Sequence, residues 1–184
     1  MKELSLNILD IVENSVKAGA ELTTITIDET ADLLVLRIED NGCGMDEDTV
    51  HSVTDPFYTT RTTRKVGLGV PLLKLAAEQT GGSFSITSRS QAEYPEDHGT
   101  VVEARFYKNH FDFTPLGDVI SSITTLIQGH PDTDFLFSHS VDSDKRVLLD
   151  TREIREVLGD VSLGEYEVIK WIEEYLREQY AEIN

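Results

Sequence analysis

Two short stretches in the first quarter of the chain constrain its fold most. LTTITID (22–28) and LLVLRIE (33–39) are rich in β-branched and aliphatic residues, with TAD between them. Runs of this length and composition on either side of a short polar link predict a β-hairpin. The second run leads directly into DNGCGM (40–45), an acid and an amide followed by two glycines.

The segments around the hairpin predict an α+β order. Apolar residues at steps of three and four predict a helix over 4–18, and further helices are predicted at 46–53 and 67–82. The last of these tolerates Pro71 because the proline falls in its first turn. Strands are predicted at 83–88 and 100–107. Helices and strands in this order favour an α+β layer over an alternating parallel fold.

The character of the sequence changes after residue 107. Thr114-Pro115 predicts the start of a helix that runs to about residue 128, 135–140 and 146–150 predict strands, and 151–158 predicts a short helix. Ser162 and Glu165, in capping-box spacing, predict a final helix over 162–180. We therefore divide the chain into residues 1–107 and a C-terminal α/β extension, 108–184, which stands apart or packs as part of the same domain.

Composition excludes several classes of partner. The chain has 16 basic and 34 acidic residues, a formal net charge of −18, which repels both a phosphate backbone and an anionic membrane surface. We expect neither nucleic acid nor membrane as a partner. A single cysteine and an acidic N-terminal stretch indicate a reduced, cytoplasmic protein, and the apolar runs are far shorter than the roughly 20 residues of a membrane helix.

Three polar groupings suggest chemistry. On the first predicted helix, Asp10, Asn14 and Lys17 share one face, where an amide oxygen, a carboxylate and an ammonium suit hydrated Mg²⁺ and its phosphates. Taken alone, this stripe is more typical of a solvated surface.

In DNGCGM, Asp40 can accept a hydrogen bond from an exocyclic amine, while Gly42 and Gly44 let the backbone approach a flat ring. A glycine turn without a ligand explains the same letters equally well.

The third grouping is GLG (67–69) at the start of a predicted helix, where free N–H groups and the helix dipole form an anion site. Arg61, Arg64 and Lys65 precede it among threonines and suggest a lid that closes over phosphates. A surface loop also explains the threonines, but it explains less readily the local basicity in an acidic chain.

In order along the chain, VENSVKAGA, DNGCGM, DPFYTTR, GLGVPLLK and HGTVVEARF resemble the sequence boxes of the GHKL superfamily, the histidine-kinase, gyrase, chaperone and mismatch-repair ATPases. The resemblance covers roughly residues 4 to 107. It implies the Bergerat fold, a two-layer α/β sandwich with a mixed, mostly antiparallel sheet and helices on one face, and the cofactors ATP and Mg²⁺.

The resemblance also implies a role for individual residues. Asn14 is the implied magnesium ligand, and Lys17 approaches the phosphates. Asp40 reads the adenine amine, and Thr100 helps to hold adenine through water. The remaining implied nucleotide-binding residues form the base pocket, the lid and the phosphate loop: Gly42, Gly44, Met45, Phe57, Thr59, Thr60, Arg61, Gly67, Leu68 and Gly69.

The sequence departs from the hydrolysing members at one position. Where they carry a water-activating glutamate, four residues before the magnesium asparagine, this chain has Asp10, and Glu13 lies on a different helical face. Vigorous ATP hydrolysis is therefore not expected, although Asp10 remains the candidate catalytic residue. None of the five histidines precedes an acid, so autophosphorylation on histidine is not expected either.

Three functions remain open. The first is a stand-alone Mg-ATP-binding regulatory module that transfers phosphate to a partner protein. The second is a nucleotide-dependent switch that binds a partner without chemistry, and the third is a slow ATPase. The start of the chain is also similar to that of small proteins that accompany bacterial iron-hydrogenase components, so a signalling or hydrogenase-associated protein partner is expected. The extension reads the partner or only covers an exposed face.

Overall fold

The computed structural model describes residues 3–55 and 68–183. Within them the strands are β1 (Leu22–Glu29), β2 (Leu33–Asp40), β3 (Ser83–Arg89), β4 (Gly99–Tyr107), β5 (Asp134–Val141) and β6 (Lys145–Asp150). The helices are α1 (Leu4–Lys17), α2 (Glu47–Thr54), α3 (Gly69–Gln79), α4 (Val119–Gly129), α5 (Thr151–Leu158) and α6 (Tyr166–Ile183). The predicted hairpin is confirmed as β1 and β2.

The six strands form one sheet in the order β3-β4-β2-β1-β5-β6. Four of the neighbouring pairs are antiparallel, and only β1 and β5 run parallel. This is the mixed, mostly antiparallel α+β sandwich that the sequence predicts. Because β5 pairs with β1 along its full length, the C-terminal strands continue the sheet of the first 107 residues.

Strand register gathers the apolar side chains on one face of the sheet. Ile25 lies opposite Ile38 on one side and Phe137 on the other, and Leu36 lies opposite Ala104. Residues directly opposite each other project to the same face, so these buried side chains form a continuous surface. The helices α1, α3, α4 and α6 pack against it, with α1 and α3 nearest to the β2 and β4 strands.

The helix α6 also protects the edge of the sheet at β6. The side-chain amide of Gln179 accepts a hydrogen bond from the Leu148 N–H at 2.9 Å and donates one to the Leu148 carbonyl at 3.0 Å. An edge strand exposes such groups to other chains unless they are paired. Among the described residues, no helix combines the length and the apolarity needed to cross a bilayer.

Two predicted helix starts are wrong. The α4 helix begins at Val119 and not at Thr114-Pro115, because Gly117 has a positive φ of 77° and Asp118 caps the helix by accepting from the Ser121 N–H. The α6 helix begins at Tyr166 and not at 162. Ser162 forms a local turn by accepting from the Gly164 N–H at 3.1 Å, so it does not cap the helix.

Candidate functional site

A cavity of about 290 Å³ lies between α1, α2 and the β2, β3 and β4 strands. Six residues that the sequence singles out line it: Asn14, Lys17, Asp40, Gly44, Met45 and Thr100. The apolar part of its wall consists of Ile11, Ile38, Val53, Val70, Ile86 and Val102. An apolar slot with a few convergent polar groups is the usual form of a small-molecule site.

Asp40, at the end of β2, is held in place by two donors. Its Oδ2 accepts a hydrogen bond from the Ser15 hydroxyl at 2.6 Å, and its Oδ1 accepts one from the Gly42 N–H at 2.9 Å. A carboxylate has about four acceptor positions, so each oxygen can still accept a further donor from the cavity. The side chain is therefore oriented before any ligand arrives.

The loop after Asp40 requires glycine at position 44. Gly44 has a φ of +64°, and a Cβ atom there would lie 1.9 Å from the Arg89 carbonyl oxygen. The Cys43 N–H donates to the Ala18 carbonyl at 2.9 Å, which ties the loop to the end of α1. Gly42 does not line the cavity, and its close approach is to Ala18 and Asp40.

A chain of hydroxyl groups closes the opposite wall. The Met45 N–H donates to the Ser88 hydroxyl at 2.8 Å, and the Ser88 and Thr100 hydroxyls are hydrogen-bonded at 2.8 Å. Thr100 is the direct register partner of Asp40 across β2 and β4. Thr23, the register partner of Asp40 on β1, is fully buried, and its Oγ1 has no hydrogen-bond partner among the described residues.

Asn14 and Lys17 bring α1 to the cavity. Neither side chain forms a hydrogen bond or ion pair with another residue in 3–55 or 68–183. An amide oxygen and an ammonium therefore remain available to a ligand at the cavity wall. This is the part of the predicted polar stripe that the structure brings to the site.

Asp10 lies one turn before Asn14 and does not line the cavity. It is exposed and packs beside Gly69, the first residue of α3, where an added Cβ would come within 2.8 Å of the Asp10 Cβ. Glu13 is turned away, because its Oε1 is hydrogen-bonded to Nε2 of His130 at 2.7 Å. No carboxylate of α1 lines the cavity itself within the described residues.

The remaining predicted residues belong to the phosphate loop and lid. Leu68 precedes α3 and is exposed, and Gly69 is buried at the helix start. Outside the described residues lie Gly67 of the predicted phosphate loop and the predicted lid residues: Phe57, Thr59, Thr60, Arg61, Arg64 and Lys65.

Sequence reasoning missed the residues that orient the site. Ser15, next to Asn14, and Ser88, in a predicted strand, are not among the predicted site residues. Ala18 is predicted only as part of a helix end, although its carbonyl anchors the loop. The step of one residue from Asn14 to Ser15 turns the side chain by about 100° around the helix, toward the sheet, which is the only sequence signal for Ser15.

The family profile described as "Histidine kinase-, DNA gyrase B-, and HSP90-like ATPase" matches residues 2–110, which is more than half of the chain. The chain therefore belongs to this ATPase family. The resemblance drawn from its sequence boxes is confirmed.

Curated relatives match about half of the chain. The sensor protein SrrB of Staphylococcus aureus (strain NCTC 8325 / PS 47) is 32% identical over 93 residues, which cover 48% of this chain and 16% of SrrB. A sensor protein of Shewanella frigidimarina (strain NCIMB 400) is 30% identical over 91 residues, covering 47% of this chain and 14% of that protein. The chain thus matches less than a fifth of the length of these relatives.

Solved structures share the fold. The N-terminal domain of a DNA repair protein superposes with a TM-score of 0.54 at 17% identity, covering 87% of this chain and 58% of that one. The Aquifex aeolicus MutL ATPase domain complexed with ADP gives a TM-score of 0.52 at 17% identity, covering 85% of this chain and 69% of that one. Both likenesses reach beyond residue 110, into the C-terminal extension.

The donor set fits an adenine nucleotide with Mg²⁺. Asp40 offers an anchored acceptor to an exocyclic amine, and the apolar wall suits the faces of a flat ring. Asn14 offers a neutral oxygen of the kind that Mg²⁺ accepts, and Lys17 offers a positive charge to phosphate.

Proposed function

We propose that this chain is an Mg-ATP-binding regulatory module. The observation that carries the proposal is the convergence of Asp40, Asn14 and Thr100, from three separate elements, on one cavity. Asp40 accepts a hydrogen bond from the adenine amine, and Thr100 holds the base through water. Gly44 and Met45 shape the pocket around the ring, with Gly42 supporting the loop behind it.

We infer that the phosphates extend from Asn14 toward the start of α3, and that Lys17 supplies positive charge to them. Asn14 is a ligand of the magnesium ion, which neutralises charge on the phosphates when it is bound. Gly67, Leu68 and Gly69 wrap the triphosphate, while Phe57, Thr59, Thr60 and Arg61 supply the lid. The acidic chain and its single cysteine support a cytoplasmic location, without nucleic acid or membrane as partner.

We assign the module to phosphate transfer onto a protein partner, with Asp10 orienting the acceptor hydroxyl. A second candidate is a switch whose nucleotide-bound form is recognised by a partner, without chemistry. The positions of Asp10 and Glu13 support that second function, because neither carboxylate lines the cavity and Glu13 is engaged with His130. A base must come within roughly 3 Å of the proton that it removes, directly or through one water.

Labelled ATP separates these functions. The purified chain is incubated with Mg²⁺ and ATP that carries a labelled γ-phosphate, and bound nucleotide, released phosphate and labelled protein are measured. We expect ATP to bind saturably and free phosphate to be released slowly. An added partner protein should become labelled if the chain is a kinase, and should stay unlabelled if the chain is a switch. Asp10→Asn should leave binding intact and abolish transfer, while Glu13→Gln should leave both unchanged. Rapid release of phosphate by the isolated chain would contradict both candidates.

A further inference from the structure

The C-terminal extension carries a second large concavity. A groove of about 540 Å³ lies between α5, α6 and β6, and we call it the C-terminal groove. It lies outside the matched family region, 2–110, and, among the residues that the structure describes, it shares no lining residue with the cavity described above. The extension therefore contains more than the strands that complete the sheet.

The lining of the C-terminal groove is mainly apolar and is open to solvent. Val157 on α5 is 88% exposed, and Trp171 on α6 is 51% exposed. Trp171 stacks on Tyr175 with ring centroids 5.1 Å apart, and Leu148 of β6 is also exposed beside them. Large exposed apolar side chains gathered in one concavity are typical of an interaction site.

The charged side chains that line the C-terminal groove are all acidic among the described residues: Asp150, Glu153 and Glu167. Asp150 is paired with Arg152 at 2.7 Å. Glu153 on α5 and Glu167 on α6 stand on opposite walls, and neither forms a hydrogen bond or ion pair through its side chain with the described residues. The Arg152 guanidinium, which is paired with Asp150, also interacts electrostatically with Glu153.

Helical geometry extends this acidic rim along α6. Three glutamates lie on the same side of α6 as Trp171: Glu167 is four residues before it, Glu174 is three after it and Glu178 is seven after it. Two cations also lie on α6: Arg177 is paired with Glu173 at 2.6 Å, and Lys170 is exposed between Glu167 and Glu174, so three glutamates of this rim face one lysine. An apolar slot between acidic walls attracts a ligand with an apolar face and flanking positive charges.

We propose that the C-terminal groove is the docking site for a basic amphipathic helix of a partner protein. A strand is disfavoured as the ligand, because Gln179 already satisfies the Leu148 backbone at the β6 edge. A second copy of this chain would set acidic rim against acidic rim, and an anionic membrane surface would be repelled in the same way. Apolar anchors along one face of a helix, with Lys or Arg beside them, match both features of the groove.

The single tryptophan of the chain makes the proposal measurable. The probe is a synthetic peptide of about 15 residues, about four helical turns, with Leu at helical spacing and Lys at the other positions. It contains no Trp or Tyr, so the emission reports on Trp171. We expect a saturable shift to shorter wavelength that weakens with added salt. The matched peptide, in which every Lys is replaced by Glu, should produce no shift.

Charge reversal in the groove provides the matched comparison. The double variant Glu153→Lys with Glu167→Lys should bind the Lys peptide about tenfold or more weakly than wild type does. Glu21→Lys with Glu78→Lys changes the net charge equally at exposed sites outside the groove and should leave the affinity within about threefold. Val157→Ser removes an exposed apolar contact without touching the core and should also weaken binding.

Other occupants give different results. A dimer in sedimentation that Val157→Ser dissociates would assign the groove to a second copy and overturn the proposal. A shift of Trp171 emission with phosphatidylserine vesicles would assign it to a membrane. Three further results would overturn the proposal. They are equal binding of the Lys and Glu peptides, equal affinity of the two double variants for the Lys peptide, and no shift of Trp171 emission with the Lys peptide. Because the readout contains no nucleotide, none of these results bears on the proposed ATP site.

Discussion

The Ser15 hydroxyl donates a hydrogen bond of 2.6 Å to the Asp40 carboxylate, joining the first helix to the end of the central β2 strand. Ser15 is buried, and Asp40 lines the cavity. The contact fixes the acceptor that faces a ligand and ties α1, which carries Asn14, to the base-binding side of the cavity.

Ser15→Ala should therefore weaken nucleotide binding by about fivefold or more, since removing one partner of a part-buried pair costs about 1–3 kcal/mol and about 1.4 kcal/mol is a factor of ten. The measurement is a calorimetric titration of each variant with Mg-ATP. Ser5→Ala is the matched control, because Ser5 is buried on the same helix and its hydroxyl is bonded to Glu3 instead. Equal losses in the two variants would show that the Ser15 effect is one of helix stability alone.

Alanine at position 44 should abolish binding and lower the free energy of unfolding by more than about 3 kcal/mol, because the methyl group meets the Arg89 carbonyl and the φ of +64° is strained as well. Gly81→Ala separates the two causes. Gly81 has a φ of +75° with nothing within 4 Å of the added Cβ, so its cost should be only about 1–2 kcal/mol. Urea unfolding of both variants measures the difference, and equal costs would contradict the steric argument.

A buried network around His139 should make stability fall in mild acid. His139 Nε2 is hydrogen-bonded to Glu29 at 3.0 Å and Nδ1 to the Tyr180 hydroxyl at 2.8 Å, which the neutral imidazole satisfies when Nε2–H donates to Glu29. Burial lowers the pKa of His139 below its ordinary 6.5, although the Glu29 carboxylate opposes this. The neighbouring Lys108 ammonium, paired with Glu29 at 2.6 Å, also disfavours the charged imidazole.

The direction of the pH effect follows from this shift. Below about pH 6.5 the unfolded chain binds a proton at His139 that the folded chain resists, so stability is lost as the pH falls. Burial alone would raise the pKa of Glu29, but hydrogen bonds from Lys108 and His139 outweigh it, so the pKa of Glu29 is lowered. A second loss of stability therefore follows as the pH falls below about 4.5. Thermal melting between pH 7.5 and about 5 should show the first loss. His139→Gln should flatten that slope, and exposed His51→Gln should not; the same slope in both variants would contradict the assignment.

The extension should unfold together with the ATPase-family region. The β5 strand pairs with β1 over eight residue pairs, and α6 packs against α4 and β6, so residues 108–184 share the core of residues 1–107. Trp171 fluorescence reports on α6, while far-UV circular dichroism reports on the whole chain. Their urea transitions should coincide. A Trp171 transition at lower urea would indicate that the extension is an independent unit.

The sequence predicts the elements well where side-chain periodicity is strong. The predicted bounds agree with the structure within about two residues for the hairpin, α1, β3, β4 and α5, because each combines one regular pattern with a clear turn at its end. The predicted starts of α4 and α6 are wrong, because Pro115 and Ser162 satisfy local rules while tertiary contacts decide otherwise. The Pro115 carbonyl accepts from the Leu4 N–H at 2.9 Å, so this segment caps α1 instead of starting α4.

The cavity was predictable in outline and not in its supporting contacts. Asn14, Asp40 and Thr100 belong to sequence boxes, and residues in boxes can be identified without coordinates. Ser88 and Ala18 act through a hydroxyl and a backbone carbonyl that meet the site only after the β3–β4 pairing and the end of α1 are in place. The C-terminal groove could not be predicted either, since it depends on how α5, α6 and β6 are arranged around it.

The central claim is that Asp40 reads an adenine amine in this cavity. Calorimetric titration of wild type with Mg-ATP and with Mg-ITP, in which a carbonyl replaces that amine, tests it most directly. Wild type should bind ATP about tenfold or more tightly than ITP. Asp40→Asn should lose most of its ATP affinity and little of its ITP affinity, because an amide can donate to the carbonyl. Glu39→Gln, the neighbouring exposed acid, should behave as wild type. Equal binding of ATP and ITP to wild type, or unchanged ATP binding by Asp40→Asn, would contradict the account.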